Sequence, residues 1–212
     1  MSSVSEGVEI YNEDYFEKGI ETGVSCYTNY RWMPEATISM AMAMIDYMGI
    51  RRGDSVLDYG CAKGFLVKAF RVLGRAAFGY DVSRYCMERM DPEVTRYCSS
   101  DYNLVNNAVF DFAVSKDVFE HMTGDQVSKV LKDLEIRNTL FVIVPLGDGK
   151  KYNVPAYELD KTHKIRQTFN WWHDLFGREG WSVIKGATRV SGIKENWADS
   201  RDANGFFLLR RS

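Results

Sequence analysis

Three carboxylates close three successive short apolar runs: Asp58 in SVLDYG, Asp81 in AAFGYD and Asp101 after VTRYCSS. The loop after the first run reads Asp58-Tyr59-Gly60-Cys61-Ala62-Lys63-Gly64. From its strand, Asp58 can face a cationic amine across the loop amides. Asp81 follows 23 residues later, where a carboxylate can accept from both hydroxyls of a ribose. Asp101 can accept from an adenine amino group. Such a set suits a ligand with an amine, a ribose and an adenine but no phosphates. A dinucleotide asks instead for GxGxxG, so that backbone and helix N-terminus can cradle a pyrophosphate. Here the glycines stand as Gly60-x-x-x-Gly64, and Asp58 would repel a pyrophosphate. A glycine loop by itself says little, since a tight turn with positive φ asks for the same residues.

The three histidines are the remaining candidates for proton chemistry. His121 trails the fourth apolar run, in Asp117-Val118-Phe119-Glu120-His121. His163 lies in the polar stretch Asp160-Lys161-Thr162-His163, with few apolar neighbours in sequence. An imidazole there titrates near neutrality and makes a general base. His173 sits beside Trp171 and Trp172 in a helical pattern and reads as structural.

These residues need a scaffold that brings strand ends together. Ala36 to Gly49 has helical spacing, with Met40, Met44, Ile45 and Met48 on one face. Beyond Asp54, strand-like and helix-like runs alternate. SVLDYG precedes the helix GFLVKAFRVLG, and AAFGYD precedes SRYCMERM, which Ser83 can N-cap. VTRYCSSD, VFDFAVSKD and TLFVIVPLG read as the third, fourth and fifth strands, with the helix GDQVSKVLKDLE before the fifth. TLFVIVPLG is apolar enough to be central in a parallel sheet. FNWWHDLFGREG is a further helix, and WSVIKGATRV and GFFLLRR close the chain as an antiparallel pair at the sheet edge. The alternation predicts a doubly wound α/β sheet with right-handed crossovers, whose ligand site lies beyond the strand carboxyl ends.

On these residues the chain resembles class I S-adenosylmethionine-dependent methyltransferases. VLDYGCAKGFLVKAF looks like the family's first motif, AFGYDVS like its acidic second motif, and FDFAVSKDVFEHM and TLFVIVP like its fourth and fifth strands. The resemblance covers roughly residues 36–184; Ala62 stands where glycine is frequent. It implies a Rossmann-like doubly wound sheet of seven strands, mostly parallel with an antiparallel last strand, and S-adenosylmethionine as cofactor. It puts Asp58, Gly60, Cys61 and Gly64 around the methionine moiety, Asp81 and Val82 on ribose and adenine, and Asp101 on adenine. Ser115 and Lys116 would flank the cofactor through backbone, and Arg31, in YTNYRW, would pair with its carboxylate. His163 and His121 become the catalytic candidates. The Glu-His pair is also similar to the Glu-x-x-Glu-His motif of ubiquinone-biosynthesis O-methyltransferases and small-RNA 2′-O-methyltransferases, which bind a divalent cation. Asp117, Glu120, His121 and His163 form the corresponding cluster here. Relatives without metal carry the pair too, so a base is favoured over a metal.

The bulk properties narrow the setting. The 212 residues read as one methyltransferase domain, with residues 1–35 as an N-terminal extension and 146–167 as an insertion over the site. With 45% hydrophobic and 26% charged residues the chain can fill one core. A net charge of −2 gives no global field for nucleic acid or anionic membrane. The expected partner is therefore a small-molecule methyl acceptor, with no DNA, no membrane, RNA disfavoured and oligomeric state open. Methylation of an RNA 2′-hydroxyl and a catalytically silent partner subunit are the alternatives. The four cysteines, without a CxxC pair, read as reduced thiols of a cytoplasmic protein. No signal peptide is expected, and the most apolar stretch, 38–50, is too short to span a bilayer.

Overall fold

In a computed structural model, described over residues 9–197, 199–200 and 202–212, the alternating texture folds into one seven-stranded sheet. The strands are β1 (Ser55–Tyr59), β2 (Ala76–Tyr80), β3 (Cys98–Ser99), β4 (Val109–Lys116), β5 (Glu135–Pro145), β6 (Trp181–Ala187) and β7 (Asn204–Arg211). Their order is β3-β2-β1-β4-β5-β7-β6. Pairings from β3 to β5 are parallel, and β7 runs antiparallel to both β5 and β6. The order reverses between β1 and β4, so the switch point of the sheet lies beside the glycine loop.

The central strands are apolar on both sides because both are covered. Along β5, Leu140, Val142 and Val144 enter one core with Trp172, Phe176 and Leu131, while Phe141 and Ile143 enter the other with Phe70, Val67 and Met44. That period-two division explains why TLFVIVP has no polar alternation. The helices begin where their caps dictate. Pro34 opens α3 (Pro34–Met48) and Gly49 closes it at φ 74°. The Ser83 hydroxyl caps α5 (Arg84–Glu88), counting α4 as Phe65–Val72. Thr123 and Gln126 form a capping box on α7 (Gly124–Asp133; α6 is Asn103–Asn106), and Thr168 caps α8 (Phe169–Arg178).

Two regions differ from the sequence expectation. The third strand shrinks to Cys98–Ser99, preceded by a 3-10 turn at Thr95–Tyr97. It is an edge strand with one neighbour, pairing only through Gly79↔Cys98 and Tyr80↔Ser99. The first 35 residues, read only as an N-terminal extension, contain the helical turns α1 (Glu13–Phe16), capped by Asn12, and α2 (Gly19–Thr22). Tyr15 and Phe16 pack with Ala62 and Cys86, which ties this segment to the glycine loop and to α5. Among the described residues no helix is long and apolar enough to cross a membrane.

Candidate active site

The glycine loop turns sharply because its backbone is held from below. The amides of Gly60 and Cys61 both donate to the Tyr80 carbonyl, at 2.7 and 3.0 Å. Gly60 has φ 86°, and a Cβ there would meet a Val118 methyl at 2.3 Å, so only glycine fits. Gly64 has φ 78° and starts α4. Ala62, at φ 47°, takes the left-handed conformation without being glycine, and its amide donates to Asp81 Oδ2 at 2.7 Å. Asp81 Oδ1 accepts from the Ser83 amide at 2.8 Å. The second-strand carboxylate therefore braces the first-strand loop, while each oxygen keeps a lone pair for a further donor. Burial pushes the Asp81 carboxyl up, against the opposing pull of those two amides.

Asp58 is buried, and its carboxyl makes no hydrogen bond among the described residues. Burial, with Asp81 nearby, pushes its carboxyl up to about 7 despite the Lys116 ammonium. A buried carboxyl short of partners fits a cationic amine, which is the chemistry expected of this position. Cys61 is buried in the loop, and Val82 is partly exposed after β2. Asp101 is exposed, and its Oδ1 accepts from the Asn103 amide at 2.9 Å at the start of α6. Ser115 is fully buried with an unpartnered hydroxyl. Arg31 is exposed and pairs with nothing among the described residues, so no contact holds it toward the loop.

Lys116 and Asp117 are joined through their side chains. Asp117 sits at φ 57° directly after β4, and its carboxylate is clasped by Lys116 at 2.6 Å and by Lys194. Burial would raise this carboxyl, but the two ammonium groups overturn that and hold it well below the usual range. Asp117 is thus occupied by cations of the chain itself and stands outside the group formed by Glu120, His121 and His163. One ligand atom from each of those three lies within 4.8 Å of the others. The sequence offered no signal for Lys194, which arrives from the loop between β6 and β7.

The histidine side is held by the insertion. The Glu120 carbonyl accepts from the amides of Lys164 and Ile165, at 2.7 and 3.0 Å, which brings His163 against the turn Phe119–His121. The two imidazole centroids are 4.6 Å apart. The expectation of few apolar neighbours for His163 is corrected: it is 8% exposed, edge-on to Tyr152 at 5.1 Å and tilted against Tyr157 at 6.4 Å. Its Nδ1 lies 2.9 Å from the Tyr157 carbonyl. A carbonyl only accepts, so Nδ1 carries the proton and Nε2 keeps its lone pair. Burial lowers the His163 pKa, and burial together with His163 lowers that of His121 to about 4, so both rings are neutral at pH 7. Glu120 is 1% exposed, and its Oε2 has no partner; burial and Asp117 push its carboxyl well up. His173 is exposed on α8, with its Nδ1 3.6 Å from Asp174 Oδ1.

The N-terminal segment covers both halves. The Tyr11 carbonyl accepts from Ser83 Oγ at 2.5 Å, Lys63 pairs with Glu17 and donates to the Tyr30 carbonyl at 2.9 Å, and Tyr15 donates to Asp160 Oδ2 at 2.7 Å. Tyr11 and Tyr15 both stand edge-on to His121. Sequence reasoning missed Tyr15, Asp160 and Thr162 as members of the site. The string Asp160-Lys161-Thr162-His163 held a signal for two of them, whereas Tyr15 had only the aromatic richness of its segment.

Comparison with known proteins agrees with this geometry. No curated protein matches the sequence. Solved structures match in fold, among them an S-adenosylmethionine-dependent methyltransferase from Clostridium acetobutylicum (13% identity, 82% of this chain and 91% of that one, TM-score 0.60). Another is the magnesium protoporphyrin IX methyltransferase of Synechocystis (15% identity, 92% and 83%, TM-score 0.58). A third is the mitomycin 7-O-methyltransferase MmcR (13% identity, 92% and 66%, TM-score 0.60). Residues 33–184, well over half of the chain, match a family described as a methyltransferase domain. With the strand order and the antiparallel last strand in place, the chain belongs to the class I S-adenosylmethionine-dependent methyltransferases.

Proposed function

We propose that this chain transfers a methyl group from S-adenosylmethionine to a hydroxyl of a small-molecule acceptor, with His163 as general base. The observation that carries the reading is the His163 ring: neutral, tied by Nδ1–H to the Tyr157 carbonyl, and presenting an unprotonated Nε2. The bound cofactor supplies an electrophilic methyl on a sulfonium, so the protein mainly has to align the acceptor and take its proton. Asp58 would hold the amine of the methionine moiety, beside Gly60, Cys61 and Gly64. Asp81, with Val82, would take the ribose hydroxyls and Asp101 the adenine, while Ser115 and Lys116 would flank the cofactor through backbone. Arg31 stays a candidate for the cofactor carboxylate only if the segment bearing it shifts. His121 lines the acceptor side next to His163. The extension over residues 1–35 and the insertion 146–167 would lid one methyltransferase domain. The fold-level likeness to an enzyme named for O-methylation of mitomycin is consistent with oxygen as the target.

A second reading, metal-assisted methylation of an RNA 2′-hydroxyl, is favoured by one observation: Glu120 Oε2 is buried without a partner beside two imidazoles. A divalent cation would satisfy that oxygen and ionise Glu120. Turnover with hydroxylated small molecules, measured with and without EDTA, decides between them. The base reading expects activity to survive the chelator and fall in His163→Ala. Loss in EDTA with recovery in Mg²⁺ or Mn²⁺, and an equal loss in Glu120→Gln, would establish the cation instead. Cofactor binding without turnover on any acceptor would point to a silent partner subunit.

A further inference from the structure

Asp160 is the meeting point of three segments that nothing else in the site explains. It is 1% exposed, in the insertion. Its Oδ2 accepts from the Tyr15 hydroxyl of the N-terminal segment at 2.7 Å. Its Oδ1 accepts from the Thr162 amide at 2.9 Å and from the Thr162 hydroxyl at 2.6 Å. That same hydroxyl oxygen lies 2.6 Å from His121 Nδ1. A threonine hydroxyl owns one proton, and a carboxylate oxygen can only accept. With the Thr162 proton committed to Asp160, the proton between Thr162 and His121 must come from the ring. His121 is then the Nδ1–H tautomer, and its Nε2 holds a lone pair.

We propose that Asp160 is a positioning residue which, through the Thr162 hydroxyl, fixes His121 as the Nδ1–H tautomer and so presents its Nε2 lone pair to the acceptor side. The carboxylate does this at two bonds' remove and touches no reacting atom. The second carboxylate oxygen, bonded to Tyr15, keeps Asp160 from rotating away and ties the covering segment to the same group. Asp160 Oδ2 also lies 3.8 Å from His163 Nε2, too far for a hydrogen bond, so His163 keeps its separate anchor on the Tyr157 carbonyl. An Nε2 lone pair on His121 is what an acceptor-orienting group or a cation ligand needs. The inference rests on the proposed site but not on which of its two chemistries operates.

The test reads the tautomer directly, by NMR of the full chain labelled with ¹⁵N-histidine. Wild type is expected to show His121 as a single Nδ1–H form. Thr162→Val removes the hydroxyl that accepts from the ring, and His121 should pass to the Nε2–H form or a mixture. Thr162→Ser keeps the hydroxyl and should keep the wild-type tautomer. Where turnover is measurable, Thr162→Val should lower kcat about tenfold with KM and cofactor affinity little changed, and Thr162→Ser should restore it. Asp160→Ala should act as Thr162→Val does; if it fails to fold, the Thr162 pair carries the test alone. An Nε2–H tautomer in wild type, or a tautomer unmoved by Thr162→Val, overturns the proposal whatever the activity assays say. A full loss of the base reading in His163→Ala assays leaves the tautomer result standing.

Discussion

The two halves of the site are built by different means. On the cofactor half, Gly60, Cys61, Ala62 and Asp81 are held by backbone amides and carbonyls of neighbouring strand ends. Those amide hydrogen bonds join residues about 20 positions apart or fewer. On the acceptor half, side chains hold side chains: Tyr15 to Asp160 across 145 positions, and His121 to Thr162 across 41. The first half tolerates an apolar surrounding because amides do the holding. The second depends on each hydroxyl and ring proton having one assigned partner, so a single substitution can redirect it. One consequence is that cofactor affinity and proton chemistry should be separable by mutation.

The largest expected separation is His163→Ala, in which kcat falls about 10²–10⁴-fold while cofactor affinity, read by calorimetry, barely moves. Equal losses in both would dissolve the distinction between the halves. Asp81→Ala is the mirror case. It should weaken cofactor binding by roughly 2–4 kcal/mol, at about 1–2 kcal/mol per charge-assisted bond, and it also releases the Ala62 amide from its brace. Unchanged affinity in that variant would refute the assigned role of Asp81.

The halves should also differ in the sign of their pH response. His121, lowered to about 4, stays neutral in the folded chain while the unfolded chain takes up its proton near pH 6.5. Its contribution is present above that point and is lost as pH falls from about 6.5 toward 4, by about 3 kcal/mol. Asp58, raised to about 7, does the opposite: the folded chain retains a proton that the unfolded chain gives up near pH 4. Its contribution is lost as pH rises from about 4 through 7. Urea unfolding across this range should show a smaller acid-side loss in His121→Gln and a smaller loss toward neutrality in Asp58→Asn. Parallel profiles in both variants would show that neither group is shifted as assigned.

The smallest effect concerns cofactor binding itself. If a cationic amine binds the ionised Asp58, the carboxyl must shed its proton below about pH 7. Affinity should then weaken by up to about tenfold per pH unit below 7 and level off above it, with proton release visible as buffer-dependent heats. A flat profile, or one unchanged in Asp58→Asn, would remove Asp58 from the amine position.

Much of this was legible in the chain. The strand-to-helix alternation, the glycines at 60 and 64, the cap Ser83 and the acidic strand ends Asp58 and Asp81 are local patterns. Backbone geometry acts on neighbours in sequence, so residue type at a fixed offset is enough to read them. The antiparallel final pair followed from a loop too plainly non-helical for a crossover. The third strand was over-read because an edge position, which sequence does not mark, left it one neighbour and two paired residues. His163 stood in a polar string with few apolar neighbours, yet folding placed it among Tyr152, Tyr157 and His121. Asp117, a member only of the disfavoured metal cluster, is paired by Lys194 from 77 positions away. The removal of these groups from water, and the partner each ring proton finds, depend on segments that meet only in three dimensions. Charge, tautomer and burial are properties of that meeting, so the sequence offered candidate residues while the tertiary structure set their partners and chemical states.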